Sequence, residues 1–308
     1  MGYISETELS DLVEQAKDYA SEGKVADYIP ALKYANKRDL SIAMVSGNDM
    51  LAAGAPEQPF TLQSVSKILT FAIVLDDLGF DPVYQKVGVE PSTKSFNTVT
   101  ESYNHNKPLN PMINAGALAV TNMISGKGTA EKLEKILTLV RRMAGNPAIE
   151  VNSSVASSEF ETAHVNRALC YLLKSKDIIT GDVDELMDLY CRQCAIEVSC
   201  QDLARIAYVL ANNGVDPDTN EEILPSSVAR IVTTTMAMCG MYNASGEFAV
   251  NVGVPAKSGV SGAILAVVPG KMGIGIYGPS LDADSISIAG RQLLQQLASR
   301  LKLSIFQT

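Results

Sequence analysis

The strand-like runs of this chain lie at its two ends, and almost everything between them reads as helix. "LSIAMVSGNDMLAAGAP" (40–56) has the form of a hairpin with "GND" at its turn. "EFAVNVGVPAKSG", "GAILAVVPG" and "KMGIGIYGPS", all after residue 246, are three β-rich runs parted by Gly-rich or Pro-Gly turns. A single sheet made from these pieces needs both ends of the chain, so residues 64 to 240 must loop out from it as one block. Short connections between the last three runs make the sheet antiparallel.

Helices flank the strand runs. Over 5–22, Glu6, Glu8, Asp11 and Glu14 surround Leu9, Leu12, Val13 and Ala16, and Gly23 is the stop. The closing "DSISIAGRQLLQQLASRL" carries the stripe Ile286, Ala289, Leu293, Leu297 and Leu301. Within the block, "FTLQS" (60–64) is a short extended run leading in. Leu133, Ile136, Leu137, Val140 and Met143 mark a helix after a loop at 126–129. "ASSEFETAHVNRALCYLLKSKD" reads as one continuous helix, and "SCQDLARIAYVLANNG" is capped by Ser199 and stopped by Gly214. "PSSVARIVTTTMAMCG" (225–240) is one more. The expected class is α+β: an antiparallel sheet covered by the N- and C-terminal helices, plus a large helical lobe. The expected division is a discontinuous sheet domain, 1–63 and 240–308, and a helical domain, 64–239. A site is expected in the cleft between them.

Composition narrows the function classes. With 46% apolar and 19% charged residues in 308, the chain is globular. A net charge of −9 argues against nucleic acid and anionic membranes as partners. The acidic, amphipathic start lacks the form of a signal peptide, and no run is long enough to span a bilayer. Five cysteines, an odd number, read as free thiols in a reducing compartment, hence the cytoplasm. Cys191 and Cys194 form a C-x-x-C with Cys200 following. There is no second C-x-x-C, and His105 and His164 are far away in sequence, so buried thiols on one helix face are expected and no metal.

Ser-x-x-Lys occurs three times: Ser21–Lys24, Ser64–Lys67 and Ser299–Lys302. The first straddles Gly23 amid charge and the last lies near the end of the terminal helix; both read as surface. Ser64 instead stands at the first turn of a run with almost no polar face: Ile68, Leu69, Phe71, Ala72, Ile73, Val74 and Leu75. Such a helix is buried, and Lys67, one turn deeper on the serine's face, is desolvated with it. Burial disfavours an ammonium, and a neutral Lys67 can take the proton of Ser64. The plainer alternative is a helix cap beside a lysine reaching for solvent. A second motif tips the balance. Lys257-Ser258-Gly259, at the junction of two strand runs, is the type of partner that Ser-x-x-Lys has in β-lactamases and penicillin-binding proteins. It supplies a second cation to depress Lys67 and a strand-edge N–H for an oxyanion. Other chemistries fit poorly. "GVSGA" misses the last Gly of a nucleophile elbow, no Walker A or H-E-x-x-H is present, and "GIGIYG" matches G-x-G-x-x-G inside a strand that opens no helix.

With "GKVADYIP", "QSVSK", "NPMINAGA", "SEFETAHVNRA", "LYCRQCAIEVSC", "CGMYNASGEFA" and "PAKSGVSG", the chain resembles the serine-dependent glutaminases from about residue 24 to 300. The resemblance implies a β-lactamase/DD-peptidase-like fold and hydrolysis of L-glutamine to L-glutamate and ammonia through an acylated Ser64, with Lys67 as base. It implies roles for Tyr28 and Tyr190 near the serine, where a phenol relays the proton, and for Lys257 as the KSG lysine. Asn114, Glu159, Asn166, Tyr190, Tyr242 and Val260 correspond to positions that contact glutamine. The backbone N–H groups of Ser64 and Val260 correspond to the oxyanion hole. Glu159, not its neighbour Glu161, has the seven-residue step to Asn166. The resemblance further implies no metal or organic cofactor, and a homodimer or homotetramer. One departure stands out: "KSGVSGA" replaces the frequent "KSGVGGG", placing Ser261 and Ala263 beside the oxyanion donor. The alternatives are another serine acyl hydrolase of this fold and a silent glutamine-binding protein.

Overall fold

The computed structural model describes residues 4–92, 94–99 and 105–307. Both chain ends do contribute to one sheet. β1 (Ser41–Ser46) and β2 (Asp49–Ala53) form the expected hairpin, turned by Gly47 at φ +61°. β3 (Phe60–Thr61) pairs only with β4 (Glu197–Val198), as a separate two-stranded ladder. β5 (Ala256–Ser258), β6 (Ala263–Val268) and β7 (Met272–Tyr277) complete the main sheet in the order β2-β1-β7-β6-β5, antiparallel throughout.

Alternation assigns the two faces. Ile42, Met44, Ile264, Ala266, Ile274 and Ile276 face one side, where helix α1 (Glu6–Ala16) and the last helix (Ile288–Leu301) bury Leu9, Val13, Leu293 and Leu297 against them. A capping box, Ser5 with Glu8, starts α1. The terminal helices cover this face alone. Ala43, Val45, Leu265 and Val267 face the other side, which a helix of the central block covers.

That block runs α2 (Ser66–Leu78), α3 (Phe80–Lys86), α4 (Asn114–Met123), α5 (Gly128–Ala144), α6 (Ser153–Thr162), α7 (His164–Ser175), α8 (Val183–Cys194), α9 (Cys200–Ala211) and α10 (Ser226–Cys239). Its axis is α2, buried from Ser66 through Leu75, with α4, α5 and α10 packed around it. α9 lies flat on the sheet, and the glycines of "GIGIYG" explain how. A Cβ at Gly273 would stand 2.2 Å from the backbone of Ala204 and Tyr208, and one at Gly275 would stand 2.4 Å from the Cys200 carbonyl. These glycines seat a helix on a strand and have nothing to do with a dinucleotide.

Two local expectations need correction. The single helix over 156–177 breaks at Ala163 (ψ 40°) into α6 and α7. Arg167 Nη1 donates to the Phe160 carbonyl at 2.7 Å, satisfying an acceptor that the break leaves free. "EFAV" is helical, not extended, within α11 (Ser245–Asn251). Ala244, Phe248 and Val252 bury on one side at four-residue spacing, which outweighs the local alternation.

Gly275→Val forces a branched side chain into the α9 backbone. The expected loss is about 3 kcal/mol or more of unfolding free energy. Urea titration reads it directly, and a near-wild-type midpoint would show that α9 can lift off the sheet.

Candidate active site

Ser64 does not occupy the first turn of α2. It lies in a 3-10 turn, Gln63–Val65, that runs into α2, and its side chain caps nothing. Lys67 follows in the first turn of α2, three residues on, where i and i+3 side chains are neighbours. The turn is held in an uncommon conformation, with Gln63 at φ +48°. It is also pressed from outside. A Cβ at Gly259 would stand 2.6 Å from the Leu62 carbonyl, so the end of β5 reaches the turn only because residue 259 has no side chain. Gly259 N–H donates to Ala263 O, and Gly262, at φ +99°, donates to Gly259 O. This tight turn holds Val260 over the serine's cleft.

Lys67 is 1% exposed. Its Nζ donates to the Met112 carbonyl at 3.0 Å and to Asn114 Oδ1 at 2.7 Å. Asn114 Nδ2 in turn donates to Asn166 Oδ1 at 2.9 Å. The Met112 segment is fixed from below by buried Asn110, whose Oδ1 accepts from the N–H groups of Met112 and Ile113. Lys257 is fully buried at 0%, and its Nζ donates to the Ser258 carbonyl at 2.6 Å. Both amines flank the ring of Tyr242, Lys257 at 3.9 Å and Lys67 at 5.4 Å from the centroid. Tyr242 itself is at φ +55° and stacks on Phe96 at 4.8 Å. Its buried hydroxyl feels the Ser64 hydroxyl but falls short of full hydrogen-bond geometry.

Burial sets the charge states. It pushes Lys67 down to about 8, while Cys194 and Glu159 pull the other way. Lys257 falls further, through burial and then repulsion from Lys67. The repulsion between the two amines is mutual, so each favours the neutral form of the other. Burial raises Glu159 to about 7, against the opposing pull of Gln63, Lys67 and Cys194. Tyr190 is raised well above its usual range by burial, and Cys194 by burial followed by the charge of Glu159.

These groups enclose a cavity of about 300 Å³. Ser64, Asn114, Glu159, Asn166, Tyr190 and Val260 line it, and Tyr28, 53% exposed, stands at its rim. Lys67, Lys257 and Tyr242 lie beneath the wall. Glu159 is buried, whereas Glu161 is exposed. Ser261 borders a neighbouring cavity instead of this one, so its hydroxyl does not intrude on the serine's cleft. Gln63 and Asn110 are the participants that spacing did not single out, although each falls inside a quoted motif; Cys194, half of the C-x-x-C, also lines the cavity. A larger groove of about 480 Å³ runs past Glu57, Glu150, Glu197 and Asp202. Asp202 is committed there to its capping box and Glu197 to Asn152. All five cysteines are buried and unpaired, and among the described residues no cluster of His, Cys, Asp and Glu suits a metal.

A buried Ser-x-x-Lys at the foot of a central helix, facing a Lys-Ser-Gly strand of an antiparallel sheet, defines a serine-dependent protein of β-lactamase-like fold. Comparison with known proteins is specific. The profile of the glutaminase family matches residues 23–306. The glutaminase of Geobacillus thermodenitrificans is 55% identical, over 99% of this chain and 100% of that one. A probable glutaminase from Bacillus subtilis, complexed with 6-diazo-5-oxo-L-norleucine, superposes with a TM-score of 0.91 at 39% identity, covering 99% of this chain and 98% of that one. A covalent complex of a Bacillus subtilis glutaminase with 5-oxo-L-norleucine, formed by reaction with the same reagent, gives 0.90 at 40% identity, over 97% and 99%. The chain belongs to the glutaminase family, and it is a hydrolase.

The charge assignments carry a direct consequence. The Glu159 carboxylate favours the ammonium form of Lys67, so Glu159→Gln is expected to move the Lys67 midpoint below its value of about 8. Lysine-selective carbon NMR, with the signal assigned by its loss in Lys67→Met, reads that midpoint. A midpoint that stays or rises would show that the two groups are not coupled.

Proposed function

We propose that the protein hydrolyses L-glutamine to L-glutamate and ammonia through a γ-glutamyl ester of Ser64. The observation that carries this reading is the way Lys67 is held. A neutral amine has two hydrogens and one lone pair. The two hydrogens are taken by Met112 O and Asn114 Oδ1, which leaves the lone pair uncommitted. Lys67 takes the Ser64 proton as Oγ adds to the γ-carbonyl, and the proton passes to the departing ammonia. The backbone N–H groups of Ser64 and Val260 receive the oxyanion. Water then adds to the ester, and Ser64 regains its proton as glutamate leaves. Tyr190 and Tyr28, whose phenols stay protonated, relay protons at the wall and the rim. Lys257 and Tyr242 form the floor that keeps Lys67 desolvated.

The same pocket suits a free amino acid. Glu159 Oε2 is buried without a partner, an acceptor fit for the substrate's α-ammonium. Asn166 Oδ1 is occupied by Asn114, so its Nδ2 hydrogens remain for the α-carboxylate. 6-Diazo-5-oxo-L-norleucine is a glutamine analogue, and its covalent capture by a relative of this fold supports a nucleophile placed near the substrate's γ-carbonyl.

The reading includes self-association as a homodimer or homotetramer, and it places the nucleophile's turn where a sheet domain (1–63 and 240–308) meets a helical one (64–239). It also includes a cytoplasmic setting, which five unpaired thiols suit. No described helix is long and apolar enough to cross a membrane.

Ser64→Ala is expected to lower kcat for ammonia release from L-glutamine by about 10⁴-fold or more, and Lys67→Ala by about 10³-fold or more. Retention of substantial turnover by Ser64→Ala would end this mechanism. In the wild type, kcat should rise with pH and level off above about 8 as Lys67 loses its proton. A rate that falls over that interval would remove Lys67 as the base.

A further inference from the structure

Met112 O and Asn114 Oδ1, the two acceptors on Lys67 Nζ, come from one short stretch between Asn110 and the start of α4. Asn110 governs that stretch. It is 1% exposed, and both ends of its side-chain amide are engaged. Oδ1 accepts from Met112 N–H at 3.0 Å and from Ile113 N–H at 3.1 Å, while Nδ2 donates to the Glu90 carbonyl at 2.7 Å. Two donors face one end and an acceptor faces the other, so the amide has one workable orientation. The Glu90 segment is itself tied down: Glu90 N–H donates to the Leu109 carbonyl and Gly88 N–H to the Pro108 carbonyl, each at 2.8 Å. α4 also presses close, since a Cβ at Gly116 would stand 1.9 Å from the Asn110 carbonyl oxygen. Peptide geometry then carries the order to the lysine. Met112 C=O and Ile113 N–H belong to one planar, trans peptide unit and point in opposite directions. An Ile113 N–H held on Asn110 Oδ1 sends the Met112 carbonyl the other way, onto Lys67 Nζ at 3.0 Å.

We propose that Asn110 is a positioning residue for the base: by fixing the 112–113 peptide it aims the Met112 carbonyl at Lys67, and so sets where the amine's hydrogens and lone pair point. The inference rests on the reading of Lys67 as the base. Asn114 has anchors of its own. Its N–H donates to the Phe96 carbonyl at 2.9 Å, and its Nδ2 donates to Asn166 Oδ1 at 2.9 Å. Loss of the Asn110 amide should therefore misaim the amine while leaving the amino-acid end of the pocket in place.

The test is steady-state kinetics of the full-length wild type, Asn110→Ala, Asn110→Ser and Asn110→Asp with L-glutamine, with thermal melts as a check on folding. Asn110→Ala is expected to lower kcat about 10²-fold, with KM held within about threefold. Asn110→Asp keeps an oxygen for both N–H groups. Burial beside the Glu90 carbonyl keeps its other oxygen protonated as a donor, so this variant should recover most of kcat. A folded Asn110→Ala with wild-type kcat overturns the inference. So does a loss that falls on KM alone, or an Asn110→Asp variant no better than Asn110→Ala, which would mark a packing role. Should Asn110→Ala not fold, Asn110→Ser carries the same test: it keeps a shorter acceptor, loses the tie to Glu90, and should lower kcat about tenfold. A second readout stands apart from turnover. Labelling Met at its carbonyl carbon and Ile at its nitrogen reports only the Met112–Ile113 and Met123–Ile124 peptides. One carbonyl resonance should shift as Lys67 titrates, with a midpoint of about 8, and should lose that response in Lys67→Met. In Asn110→Ala or Asn110→Ser the response should shrink about twofold or more. An undiminished response overturns the proposal. Failure of the wild type to release ammonia would strike the functional reading instead, while the carbonyl shifts would still decide whether Asn110 aims Met112 at Lys67.

Discussion

Two lysine amines are buried around one tyrosine ring, and the surrounding structure has to keep at least one of them uncharged. Lys67 and Lys257 flank Tyr242, and both are removed from water. Two ammonium ions in that space would repel at short range with little solvent to screen them. Burial, partly offset by the charge of Glu159, shifts Lys67 from its ordinary 10.5 to about 8, so the ammonium is about 3 kcal/mol less favoured there than in water. That cost is borne by the packing of α2, whose residues from Ser66 to Leu75 are all buried. The reactive lysine is thus a product of the core around it, and the apolar helix serves the chemistry as well as the fold.

Backbone economy then brings the parts together. Gly259 lets β5 touch the 3-10 turn, and Gly273 and Gly275 let α9 lie on the sheet. Gly240 does the same behind Tyr242, where a Cβ would stand 1.8 Å from the Ala256 carbonyl. Gln63 and Tyr242, side-chain-bearing residues with left-handed backbones, stand on either side of Ser64 in this arrangement. Strain of that kind persists only where neighbours over-determine it. Here those neighbours are the same glycine contacts and stacked rings that shape the cleft.

Much of this was legible in the residues. Ser64 and Lys67 stood apart from two other Ser-x-x-Lys pairs because of the apolar run behind them, and that run is indeed the buried axis of the block. Lys257-Ser258-Gly259 was legible as a strand junction. The sheet order could not be read, since it depends on contacts between chain ends that no local pattern records. The break at Ala163 was hidden because its compensation comes from Arg167, four residues later. Gln63 was hidden for a different reason: it matters through its backbone angle, which leaves no periodic trace. Cys194 was legible as a buried thiol on a helix face, but its place on the cavity wall was not.

The central claim is that Ser64 becomes covalently linked to the γ-glutamyl group during turnover. Rapid quenching of the enzyme in acid, milliseconds after mixing with saturating L-glutamine, followed by peptide mass spectrometry, tests it most directly. The account predicts that the peptide containing Ser64 carries one γ-glutamyl group, which is gone once the substrate is exhausted. An adduct on another residue, or an unmodified Ser64 peptide during a burst of ammonia release, would contradict it.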